Sequence, residues 1–128
     1  MGMDNILSKD IYTLLWEYRE AMILMPLWQE RQVDQERLGN CNQLLKAIQT
    51  LVESLRKTPR IGEKMYWIIY CTYLSDLDPA QDGIEAILKD IAQQFEYIPR
   101  TTYFRLKDKA ITELERKLVF LMNRKKDT

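Results

Sequence analysis

The sequence predicts an all-α protein in two parts, and three observations carry that reading. Apolar residues recur at alternating steps of three and four, the spacing that lines one face of a helix. No stretch alternates apolar and polar residues as a half-buried strand does. Only four Gly and four Pro punctuate 128 residues that are 46% hydrophobic and 30% charged, a globular composition long enough to bury a core. Residues 1–57 are expected to form a helical hairpin or coiled coil, and residues 58–128 a compact helical domain.

Leu7, Ile11, Leu14, Tyr18, Ala21 and Met25 set one apolar seam along a helix from about residue 4 to residue 24. Pro26 is expected to break or kink it. A second seam runs through Leu38, Cys41, Leu45, Ile48, Val52 and Leu55 on a background of Gln, Glu, Lys and Arg. Such seams serve an intramolecular hairpin and an intermolecular coiled coil equally well. Between them "MILMPLW", residues 22 to 28, reads either as an exposed docking patch or as the inside of a helix corner.

"KTPRIG", residues 57 to 62, joins Pro and Gly and reads as a linker. In "EKMYWIIYCTYLS", from Glu63, apolar side chains nearly encircle the axis, which places that helix at the centre of a core. Its Tyr66, Trp67, Tyr70 and Tyr73 are expected to pack there rather than to stack on bases. "DLDPAQDG", residues 76 to 83, is turn-rich, and Asp82 or Gly83 is placed to start the next helix. That helix, "IEAILKDIAQQF", carries Ile84, Ile87, Leu88, Ile91 and Phe95 on one face.

The stretch "IPRTTYFRLKDKAITEL" starts the last helix, which is expected to reach about residue 122. Pro99 suits a first helical position, where its missing N–H costs nothing. Ile98, Tyr103, Leu106 and Ala110, continued by Leu114 and Leu118, have the spacing of a buried stripe. Arg100, Thr101, Thr102, Arg105, Lys107 and Lys109 are left off that stripe. Phe104 is expected to pack as core, with an exposed position against a thymine methyl as the alternative. Two helices joined by a tight turn, the second with a basic and hydroxyl-bearing front, describe a helix-turn-helix.

That front suits double-stranded DNA. Arg100 and Arg105 can donate paired hydrogen bonds to guanine or phosphate, and Thr101 and Thr102 can reach bases, thymine methyls or phosphates. Lys107 and Lys109 add salt-sensitive attraction to the backbone. The net charge is zero, but acids cluster between residues 74 and 97 and bases from residue 98 onward, so one face alone is suited to an anion.

Other chemistries are poorly served. The chain has no His, which removes the usual general base and the commonest transition-metal ligand. Cys41 and Cys71 have no partner spacing and read as buried, reduced thiols. Asp76, Asp78 and Asp82 lack the spacing and terminal Glu of a calcium loop. No enzyme, metal or cofactor is expected. The apolar runs are too short or too polar to span a bilayer, and no secretory start is present, so a cytoplasmic location without membrane association is expected.

Residues 62 to 118 resemble the C-terminal region of phage-encoded late-operon transcription regulators of the ArpU/RinA type, and more distantly the region 4 helix-turn-helix of sigma factors. The likeness is carried by "DIAQQF" for the supporting helix and "RTTYFRLKDKAITEL" for the reading helix, with Ala110 as the small residue between packed helices. The turn at residues 95 to 98 is one residue longer than the sigma pattern, and Pro99 stands at its Ser/Thr cap. The resemblance implies a regulator of a prophage or mobile-element operon, in which Arg100, Thr101, Thr102 and Arg105 read bases. RNA polymerase is then a candidate partner, and a homodimer through the N-terminal helices would present two reading helices. The alternatives are a helical protein-interaction adaptor and a DNA-packaging component.

Overall fold

The computed structural model describes residues 10–30, 35–75 and 77–126, without the side chains of residues 27–30, 35–38, 40, 41 and 121–126. Leu7 and Asp76, and the side chains of Trp28, Leu38 and Cys41, therefore lie outside the described residues. Every regular element among those described is helical: α1 (Ile11–Glu30), α2 (Gln35–Glu53), a 3-10 turn (Ser54–Lys57), α3 (Gly62–Ile69), a π-helical turn (Tyr70–Leu74), α4 (Pro79–Gln94) and α5 (Arg100–Lys126).

The chain divides into two compact units, residues 1–51 with 115–128 and residues 52–114. Helices α2 and α5 each contribute residues to both units. In the first unit the expected seam residues Ile11, Leu14, Tyr18 and Ala21 of α1 and Leu45 and Ile48 of α2 are buried. Gln49 Nε2 donates to Tyr18 Oη at 3.1 Å. Apart from half-buried Met25, the described residues of both seams are thus covered within one chain. Asp10 begins α1 by accepting from the Thr13 amide at 2.8 Å, which holds the Asp10 carboxyl below its ordinary value. Pro26 does not end the helix, which continues to Glu30. The carbonyl left without an N–H is that of exposed Met22, where water can replace the lost donor.

The second unit closes around Ile68 and Cys71, Ile87, Leu88 and Ile91 of α4, and Ile98, Tyr103 and Leu106. Trp67, Tyr70 and Ile84 pack against this cluster from its edge. The linker is a tight joint: Gly62 is buried, and a Cβ there would lie 2.6 Å from the Leu55 carbonyl oxygen and 2.7 Å from that of Arg56. Arg56 pairs with Glu53 at 2.6 Å and Glu63 at 3.3 Å, its guanidinium 3.7 Å above the Tyr66 ring.

The main run of α4 begins just after Gly83, where a helix start is expected, but one further helical turn from Pro79 precedes that residue. Asp78 caps it by accepting from the Ala80 amide at 2.9 Å, and Asp82 accepts from the Asp78 amide at 2.7 Å. Pro79 takes the first position. Gly83, at φ 83°, interrupts this first turn before the helix runs on, a backbone shape that favours glycine.

Candidate nucleic-acid interface

The start of α5 is built from the joint at residues 95–99. Phe95 leaves α4 with non-helical φ −137° and ψ −84° and stacks on Trp67 at 6.2 Å. Ile98 drops into the core at 2% exposure. The Pro99 carbonyl accepts from the Tyr103 amide at 2.8 Å, so Pro99 occupies the cap and Arg100 the first helical position. Proline fits the cap because it has no N–H to leave unsatisfied.

From there the helix sorts its side chains by azimuth. Tyr103, Leu106, Ala110, Ile111, Leu114 and Leu118 are buried, which includes every α5 residue of the expected stripe. At about 100° per residue, Thr101, Arg105, Asp108 and Thr112 fall within about 60° of one another and directly opposite Tyr103 and Ala110. All four are exposed.

The expected site residues are therefore not equivalent. Thr101 and Arg105 lie at the centre of the exposed face, with exposed Lys109 and half-buried Thr102 on one shoulder. Arg100 and Lys107 take the other shoulder. Arg100 Nη1 donates to Glu85 Oε1 of α4 at 3.2 Å, a pair so exposed that opening it costs about 1 kcal/mol at most. Lys107 is half-buried, its Nζ 6.0 Å from the Tyr103 ring centroid and 5.7 Å from that of Phe104. Phe104, expected in the core, is 39% exposed and meets Tyr103 edge-on at 5.1 Å. Its azimuth lies between the buried and solvent faces, so the neighbouring ring covers only one side of it.

Two members of the exposed face, Asp108 and Thr112, were missed by reading for bases and hydroxyls near the helix start. Their signal was the 4-3-4 spacing from Thr101 through Arg105. Thr112 Oγ1 donates back to the Asp108 carbonyl at 3.0 Å. The face is held in place from within: the Thr72 and Tyr103 hydroxyls meet at 2.8 Å. Burial pushes the Tyr103 phenol up, although that hydrogen bond pulls the other way.

Among the described residues no cluster of three or more His, Cys, Asp or Glu side chains could hold a metal, and no helix is long and apolar enough to cross a membrane. Compared with protein-family models, curated proteins and solved structures, the chain matches none.

Proposed function

We propose that this protein is a sequence-specific DNA-binding transcription regulator that lays the N-terminal half of α5 in a major groove, with α4 as the supporting helix of a helix-turn-helix. The observation that carries the reading is the polar stripe of Thr101 and Arg105 on the side of α5 opposite its buried stripe. A helix presented in this way can enter a groove without disturbing its own core. Arg105 and Thr101 read base edges, and Lys109 and Thr102 hold the backbone on one strand. Arg100 joins them by exchanging Glu85 for a phosphate, and Lys107 reaches a phosphate from the other shoulder. The resemblance to ArpU/RinA-type regulators supports a prophage or mobile-element operon as the setting, with RNA polymerase as a further partner.

Two half-sites call for a homodimer. Because the described residues of both seams, Met25 apart, are covered within the chain, the dimer uses another surface of the N-terminal helices. Tyr12, Trp16 and Ile23, spaced by four and seven residues, form a second apolar line on α1 and are 53%, 59% and 63% exposed. The same line supports the adaptor reading, in which a different protein covers it.

The test is recovery of genomic DNA fragments by the purified protein at moderate salt, beside an Arg100→Ala/Arg105→Ala variant. A single motif enriched by the wild type and lost by the variant is the expected result. A folded wild type that enriches nothing would leave the adaptor.

A further inference from the structure

The exposed face also carries one acidic residue, Asp108, which attracts neither phosphate nor guanine. Asp108 sits between Arg105 and Thr112 on the line opposite the core, where a helix in a groove comes nearest the base edges. A carboxylate there opposes attraction to phosphate, so binding of the backbone alone gives no reason for it. Its position in the fold gives none either. Asp108 lies beyond the first turn of α5, out of reach of the favourable end of the helix dipole. Among the described residues it joins no ion pair, although Arg105 stands three residues away on the same line. Thr112 directs its hydroxyl to the Asp108 backbone carbonyl rather than to the carboxylate.

We infer that Asp108 is a specificity-determining residue that selects cytosine in the major groove, through a hydrogen bond from the cytosine N4 amino group to its carboxylate. An ionised carboxylate only accepts hydrogen bonds. In the major groove the donors are the amino groups of cytosine and adenine, and adenine sets its N7 acceptor beside its donor, where a carboxylate is repelled. Cytosine is the base left. Arg105 supplies the opposite preference, for the O6 and N7 acceptors of guanine. Three residues along a helix advance about 4.5 Å, against about 3.4 Å per step along a DNA strand. Arg105 and Asp108 therefore address neighbouring base pairs, and the recognised half-site contains a guanine contact next to a cytosine contact.

This inference rests on the DNA-reading role of α5 proposed above, and the experiment separates the two. A randomised duplex library is selected with the full chain, as wild type, Asp108→Ala and Asp108→Asn, each checked for unchanged helicity. The wild type is expected to enrich a motif with a fixed cytosine beside a fixed guanine. Asp108→Ala is expected to lose preference at the cytosine alone, by about tenfold. Asp108→Asn is expected to move the preference at that position towards adenine, whose N6 and N7 an amide matches. Tighter binding by both variants to every sequence, with the motif unchanged, would overturn the inference and reduce Asp108 to a repulsive charge. A wild-type motif in which neither variant alters any position would also overturn it, leaving DNA reading intact. No enrichment by the folded wild type would overturn both.

Discussion

The hydroxyl of Thr72, in the π-helical turn after α3, and the phenol of Tyr103, in the first turns of α5, meet at 2.8 Å in the interior of the second unit. The bond spans 31 residues and ties the exposed helix to the central one. Tyr103→Phe keeps the ring and removes the bond, and should cost about 1 kcal/mol in urea unfolding. Combining it with Thr72→Val should cost less than the sum of the single changes, because both remove the same contact. Simple additivity would show that the two hydroxyls are not coupled.

Gly62→Ala should be among the most damaging single-methyl changes in the chain. The added carbon meets two backbone carbonyl oxygens, of Leu55 and Arg56, which cannot rotate away as a side chain can. A loss of about 1–3 kcal/mol in thermal or urea unfolding is expected. Gly39→Ala, with nothing within 4 Å of the new carbon, is the matched control and should not destabilise.

Stability should fall on the alkaline side. Burial, followed by the nearby Asp90 carboxylate, pushes the Cys71 thiol from 9.0 up to about 12, and burial raises the Tyr103 phenol above 10.0. For both groups the protonated form is the one the fold holds. Their contribution is complete below the unfolded values and disappears as pH rises from about 9 towards 12. Urea midpoints measured between pH 8 and pH 11 should therefore decline, and Cys71→Ala should flatten the early part of that decline. An unchanged slope in the variant would remove Cys71 from the account.

Arg105 and Lys109 should separate in DNA binding. Arg105→Ala should weaken preference at one base by about 1–3 kcal/mol, while Lys109→Ala should weaken binding to all sequences and lower the salt slope by about one. Equal losses for Arg105→Ala on every sequence would make it a backbone contact.

The proposed dimer can be weighed directly. Trp16 is 59% exposed, and its indole N–H is already held by Glu20 at 2.9 Å. Trp16→Glu should leave the helix intact and convert a sedimenting dimer into a monomer. A wild type that sediments as a monomer at all concentrations would remove the homodimer and favour a different partner for that line.

Much of this arrangement can be traced in the chain before any folding. The α5 stripe from Tyr103 to Leu118 is buried where three-and-four spacing puts it, because an amphipathic helix has one way to hide such a line. Helix ends were harder to read. Asp78 and Asp82 act as a pair across the first turn of α4, and Pro26 is carried inside α1, since each depends on which nearby backbone groups need partners. Phe104 departs from its expected core position because a residue on the border of two faces is assigned by its neighbours, not by its spacing.

Spacing and composition alone settle that the chain is helical and which residues share each helix face, because the 3.6-residue turn is a local property. They do not choose between competing faces. Helix α1 carries two apolar lines, and packing buries Ile11, Leu14 and Tyr18 while leaving Tyr12, Trp16 and Ile23 in solvent. On α5, likewise, Arg100 is drawn to Glu85, fifteen residues earlier, while Arg105 stays on the open face. Those outcomes depend on contacts between residues far apart in the chain, and such contacts exist only once the helices have packed.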